Sequence, residues 1–215
     1  VKPDFYGRGI SAQLLSRAED YAYQHGMTSI KLEVRQDNLR AIKFYNNHGY
    51  EKVSQSNNSF FFEKSLKSII KKALLTYCTN DKVDLSQSNV NEPTISHRLA
   101  VYLENKISGY SVDCEYNKVL TSSGCIDKSN ANGDVVRPDI IVHKRNKDHR
   151  NGFIANLIVL ELKKAGIASK KCSKDIEKLQ DFINTQSYQL GCCIGILKKS
   201  ITVRWIEKYP NVDQI

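Results

Sequence analysis

Apolar positions recur at helical spacing directly behind a glycine turn. Ile10, Leu14, Leu15, Ala18 and Ala22 follow Gly7-Arg8-Gly9 on one face, and Gly26 stops the run. Ser29–Val34 alternates like a strand, and Asn38–Asn47 reads as a second helix carrying Ala41, Ile42, Phe44 and Tyr45, ended by Gly49. Tyr50–Ser54 and Phe60–Leu66 form a hairpin around the polar Ser54–Ser59 stretch. Leu66–Tyr77 is a basic amphipathic helix whose stripe is Leu66, Ile69, Ile70, Ala73, Leu74 and Tyr77. That stripe is expected to pack on the core that follows rather than on a membrane surface.

After a polar stretch at 79–91 the grammar changes. Ile95, Leu99, Leu103 and Ile107 mark a helix over Glu92–Ile107. Tyr110–Leu120 alternates as a strand, 121–134 is turn-rich, and Val135–His143 is an apolar strand. A basic loop at 144–152 leads to Phe153–Lys163, the most apolar strand of the chain. Ser173 is the expected N-cap of a helix bearing Ile176, Leu179, Phe182 and Ile183, and Cys192–Leu197 and Ile201–Ile206 close the chain as strands. The reading is an α/β (α+β) chain of two parts, 1–66 and 67–215.

Composition narrows the class. With 215 residues, 40% hydrophobic and 26% charged, the chain can bury a real core, which excludes disorder, collagen and a disulfide miniprotein. No apolar run approaches the ~20 residues of a membrane span. Lys2, Asp4 and Arg8 stand where a secretory apolar region would lie. The six cysteines, at 78, 114, 125, 172, 192 and 193, form no CxxC pair and no zinc spacing. A reduced, cytoplasmic protein without a membrane partner is expected, with Cys192 and Cys193 as core residues. The chain opens on Val1, read either as a non-ATG start or as the point where the front of a longer protein is missing. Residues 1–66 hold nine basic and seven acidic groups, and 67–215 hold 23 and 16, so the +9 excess lies mostly in the second part. A polyanionic partner is expected there, or else the excess only keeps the chain soluble.

Chemistry concentrates in Asn156–Lys164. Glu161 and Lys163 interrupt a buried strand at a spacing of two and share a face. Buried charges need a partner or a metal. If the preceding strand pairs with this one, Asp139 and Glu161 can converge on a hard cation such as Mg²⁺, with Lys163 beside a metal-bound water. Pro138-Asp139, 21 intervening residues and Glu161-Leu162-Lys163 resemble the motif of the PD-(D/E)XK nuclease superfamily. The resemblance implies a restriction-endonuclease-like αβββαβ core with a mixed sheet. It also implies a nuclease using Mg²⁺ (or Mn²⁺), with Asp139, Glu161 and Glu92 as metal ligands and Lys163 as the catalytic lysine. Glu92 is either that family's acid from the first helix or a first-turn Glu favoured by the helix dipole. Glu104 is a further alternative for that acid, Glu115 can point either way, and Asp175 and Lys178 either support the site or lie on a solvated helix face. Lys144, Arg145, Lys147, His149 and Arg150, and then Lys163, Lys164, Lys170, Lys171 and Lys174, cluster in loops around it. They would touch nucleic acid, DNA before RNA, through phosphates, or simply be solvated.

Tyr6-Gly7-Arg8-Gly9-Ile10-Ser11 before a helix, then Asn38, Ala41, Phe44-Tyr45 and Gly49-Tyr50, resemble the C-terminal half of the GNAT superfamily of N-acetyltransferases. A glycine turn lets backbone N–H groups reach a pyrophosphate at a helix N-terminus. The resemblance implies acetyl-CoA held by Gly7, Arg8, Gly9, Ile10 and Asn38, with Tyr45 protonating the departing thiolate. Tyr6 stands where the family has Gln or Arg, and Ser11 where it has Gly or Ala. The front half of the fold is missing, so an exposed apolar sheet edge is expected and acetyl transfer by this chain alone is not. The functions considered are, in order, a metal-dependent nuclease, an acetyltransferase whose second part only binds nucleic acid or protein, and an inactive nuclease-fold binding module.

Overall fold

A computed structural model describes residues 5, 7–81, 90–121, 124–129, 133–145, 155–197 and 200–208. Tyr6, Lys147, His149, Arg150, Phe153 and most of the 79–91 stretch lie outside the described residues, as does the side chain of Lys171. In the first part, α1 (Ile10–Gln24), β1 (Ser29–Arg35), α2 (Leu39–Asn47), β2 (Glu51–Gln55) and β3 (Ser59–Ser65) make a three-stranded sheet of order β1-β3-β2. Both pairings are antiparallel, with a bulge between Lys52 and Ser54. α1 and α2 cover one face, where Leu15, Ala41, Ile42 and Tyr45 meet Ile30, Leu32, Val34, Phe60 and Phe62. The opposite face presents Lys31, Glu33, Arg35 and Glu63 around Phe61, so it is mostly charged.

β3 runs without a linker into α3 (Leu66–Asn80). Ser65 caps that helix by accepting from the Ser68 N–H at 3.1 Å, while Ser68 Oγ accepts from the Ser65 N–H. The expected stripe of α3 is fully inside. With α4 (Glu92–Leu103), capped by Asn91, it packs on one face of a five-stranded mixed sheet. The sheet order is β10-β9-β8-β7-β4, from β4 (Ser111–Cys114), β7 (Ile140–His143), β8 (Asn156–Lys163), β9 (Leu190–Ile196) and β10 (Ile201–Glu207). Only β8 and β9 run parallel, with α5 (Lys170–Thr185) as their crossover on the other face. A separate arm, β5 (Lys118–Thr121) and β6 (Gly124–Asp127), stands off the main sheet. Among the described residues no helix is long and apolar enough to cross a membrane.

Among the boundaries that differ from the sequence expectation, three have a local reason. The Tyr110–Leu120 strand breaks at Glu115, whose φ of 49° is left-handed. The 135–143 strand shortens to Ile140–His143, leaving Asp139 just ahead of it. Ser169, not Ser173, caps α5 through a 3.4 Å bond from the Cys172 N–H, and Ser173 lies inside the helix with its own N–H on Ser169 O.

The two sheets share a core. Tyr23 of α1 is 0% exposed and sits edge-on to Tyr110, within the cluster built on α3, α4 and β8. Asp20 pairs with Lys144 at 2.5 Å beside it. Tyr23→Ala is therefore expected to lower unfolding free energy by about 3 kcal/mol, as for a buried aromatic removed from a core. Its neighbour Tyr21, 66% exposed, should change stability by about 0.5 kcal/mol or less on truncation. Urea denaturation of both variants checks the contrast, and similar losses would contradict the shared core.

Candidate functional site

Two groups of predicted residues come together, at opposite ends of the argument. The first is the turn ahead of α1. Gly7 and Gly9 have φ of 77° and 74°, values that residues with a Cβ adopt only under strain. An added Cβ would meet nothing within 4 Å at either among the described residues. Gly9 is the N-cap, no side chain caps the helix, and its first turn has no acidic residue. The first N–H groups of α1 thus face outward without an intrahelical acceptor. Arg8 lies over the Phe5 ring at 5.3 Å.

Beside this turn, Ser11, Leu14, Leu15, Asn38, Arg40, Ala41, Phe44 and Tyr45 line a cleft of about 530 Å³ between α1 and α2. Asn38 has a second, structural duty that its motif does not reveal: its Oδ1 accepts from the Ala41 N–H at 3.0 Å and caps α2. Tyr45 is half-buried, edge-on to Phe44 and Tyr50. Tyr50 is in turn buried near the Glu19–Lys64 ion pair, 2.8 Å long and almost fully enclosed. Burial, reinforced by Glu19, pushes the Tyr50 hydroxyl far above its ordinary pKa. The sequence reading missed that pair, because a Glu and a Lys 45 residues apart look like two surface charges.

The second group surrounds the end of β8. Ile158, Leu160 and Leu162 turn to α3 and α4, while Val159, Glu161 and Lys163 turn to α5. Asp139 accepts a 2.6 Å hydrogen bond from the Leu162 N–H. Lys178 Nζ of α5 stands 2.6 Å from Glu161 Oε1 as an ion pair, without the angles of a well-directed hydrogen bond. Lys163 pairs with Glu92 at 3.2 Å and with Asp175 at 3.7 Å, and Glu92 also accepts from the Lys164 N–H. Glu115 is exposed and only its N–H touches the group, on Asp139 O. Asp175 and Lys178, read from sequence as either supporting residues or a solvated face, are part of the cluster. Lys164, Lys170 and Lys174 are exposed around it.

Electrostatics follow from burial. Glu161 is 2% exposed, and desolvation, then Asp139, push its carboxyl up to about 8 against the pull of Lys178. Burial likewise raises Asp139 and Asp175. Burial works against the charged form of Lys163, but Asp175, Asp139 and Glu92 together raise its pKa. The group is a lattice of four carboxylates and two ammonium groups in which each lysine is already engaged.

Comparison with known proteins bears on the first group. The sequence profile of the acetyltransferase (GNAT) family matches residues 1–50. An uncharacterised N-acetyltransferase of Methanocaldococcus jannaschii is 43% identical over 51 residues, 24% of this chain and 23% of that protein. An acetyltransferase of Pectobacterium atrosepticum is 45% identical over 53 residues, 25% of this chain and 38% of that protein. The chain thus spans well under half of either relative. The N-terminal segment is GNAT-like, as its motifs suggested.

These findings correct the nuclease expectation. The family match and both relatives point to acetyl transfer, not to phosphodiester hydrolysis. The expected Mg²⁺ (or Mn²⁺) site on Asp139, Glu161 and Glu92 gains no support. Among the described residues no group of three or more His, Cys, Asp or Glu side chains is arranged to hold a metal ion. The physical reason is local: Glu161 is closed by Lys178, and Glu92 is turned to Lys163 and the Lys164 backbone. Lys163 is held by two carboxylates, Glu92 and Asp175. No finding supports a restriction-endonuclease identity for the core, and the mixed α/β class stands on its own.

The buried Glu161 has a measurable signature. Between its ordinary 4.5 and about 8 the folded chain binds more protons at this group than the unfolded chain does. Its contribution to stability therefore falls as pH rises through that window. Glu161→Gln mimics the protonated form and removes this dependence. Melting temperatures from pH 5 to pH 8 should fall more steeply for the wild type than for the variant, and parallel profiles would contradict the assignment.

Proposed function

We propose that the chain is part of an acetyl-CoA-dependent N-acetyltransferase, with the cofactor held by residues of the first part. The observation that carries this is the open, uncapped Gly7–Gly9 turn leading into the cleft lined by Asn38 and Tyr45. The outward N–H groups of Ile10, Ser11 and Ala12 suit a pyrophosphate, which the positive end of α1 favours further. Arg8 adds a cation beside the turn, and Ile10 and Leu14 give the cofactor chain an apolar wall. Acetyl-CoA supplies the activated thioester. Tyr45, half-buried and held by Phe44 and Tyr50, is positioned to give its phenolic proton to the departing thiolate. Asn38 fixes the start of α2 and so the line on which Tyr45 sits. An amine acceptor is in keeping with the name of the Methanocaldococcus jannaschii relative, an N-acetyltransferase.

Isothermal titration with acetyl-CoA tests the reading. Saturable binding is expected, weakened roughly tenfold or more by Gly9→Val, since that is the effect of about 1.4 kcal/mol of lost binding. Tyr45→Phe should leave the affinity nearly unchanged and lower any transfer rate by on the order of 100-fold. Absence of binding would leave the turn a structural element. For the second part, the +7 excess and the exposed Lys164, Lys170 and Lys174 support a nucleic-acid partner, DNA before RNA. Fluorescence anisotropy with a labelled duplex should show affinity that falls steeply with added salt, and no binding at low salt would end that proposal.

A further inference from the structure

The β5–β6 arm is fastened to the body of the protein by one unusual side chain. Lys128 follows β6 directly and is 1% exposed. Its Nζ donates to the Tyr188 hydroxyl at 2.6 Å and lies 5.2 Å from the Tyr188 ring centre and 5.5 Å from that of Tyr116. Its N–H closes the base of the arm by donating to Asn117 O at 2.5 Å, and Lys128 O accepts from the Val136 N–H at 2.9 Å, tying the base to the segment ahead of β7. A buried ammonium normally has a carboxylate partner, and Lys128 has none within ion-pairing distance among the described residues.

Among the described residues the acidic group acting on it is Asp113 of β4, and that carboxylate is already taken. Arg145 grips it through two nitrogens, and His143 Nε2 of β7 is 2.7 Å from its Oδ2. His143 also faces Tyr116, ring to ring at 4.8 Å. Three groups able to carry positive charge, Lys128, His143 and Arg145, thus crowd one carboxylate, with Tyr116 and Tyr188 completing the surroundings. The arrangement accommodates one cation comfortably and each further charge at a cost.

We propose that the β5–β6 arm is a pH-sensitive element, latched by the Lys128 side chain between Tyr116 and Tyr188 when that amine is neutral and loosened by its protonation as pH falls from alkaline towards neutral. The sign follows from burial. Desolvation lowers Lys128 from 10.5 to about 8 in the latched state, and an undocked arm regains the ordinary value. The undocked state therefore binds more protons between those limits, and docking strengthens as pH rises through them. Burial also lowers the pKa of His143, so its protonation adds to release as pH falls below the ordinary histidine range.

Hydrogen exchange of the full chain, corrected for intrinsic rates, tests this at the Lys128 and Val136 amides. Their protection should rise about 20- to 30-fold from pH 7 to pH 9.5, from the two pKa limits. It should stay roughly tenfold or more below that of Val159 in the core at each pH, marking a local opening. Lys128→Met is expected to flatten the dependence. Tyr188→Phe, which removes the acceptor of the lysine while keeping the ring, is expected to steepen it. Equal protection at the arm and at Val159, a flat wild-type profile, or an unchanged profile in Lys128→Met would each overturn the proposal. If Lys128→Met does not fold, an unchanged slope in Tyr188→Phe overturns it instead.

Discussion

The small first sheet cannot bury enough surface to stand alone, and everything at its open turn depends on how it is anchored. Among the described residues its own cluster has Val34, Tyr50 and Phe62 as its buried apolar members. A core that small supplies little against the entropy of ordering its chain. The anchoring comes from the far end of α1, where Tyr23 enters the larger core, and from β3 continuing directly into α3. Lys72 of α3 adds a bond to Gly49 O and an ion pair with Glu51. α1 is therefore fixed at its C-terminal end by the second part while its N-terminal end is left free to face a ligand. The same helix ties stability to the proposed binding function.

Buried charge is the second organising theme, and it is handled in three different ways. Glu19 and Lys64 neutralise each other as an enclosed pair. At the end of β8, carboxylates outnumber ammonium groups and the surplus is relieved by raised carboxyl pKa values. Around Lys128 the surplus is positive and falls on the lysine and the histidine. In the second and third cases desolvation is the dominant cost, and the partner set decides which way the protons move.

Much of the fold was legible because periodicity is a strong signal over long elements. The α3 stripe from Leu66 to Tyr77 and the buried run of β8 lie where alternation and helical spacing put them. Short-range geometry was less legible. Nothing in the alternation of 110–120 announces a left-handed Glu115, and two serines four residues apart compete for the α5 cap. At the candidate sites, the glycine turn was readable because positive φ and open space leave few other residues a choice. Asp139, Glu161 and Lys163 lie near one another at the end of β8. Their meaning was not readable, because it depends on Lys178 and Asp175, which α5 brings in from a part of the chain where they look like surface charges.

The central claim, that the N–H groups opening α1 receive the pyrophosphate of acetyl-CoA, is tested most directly by NMR titration of the isotopically labelled chain. The account predicts that the amide resonances of Gly9, Ile10, Ser11 and Ala12 shift together and saturably as acetyl-CoA is added, ahead of any change in β8 or α5. Stationary first-turn amides at saturating cofactor, or shifts confined to the second part, would contradict it.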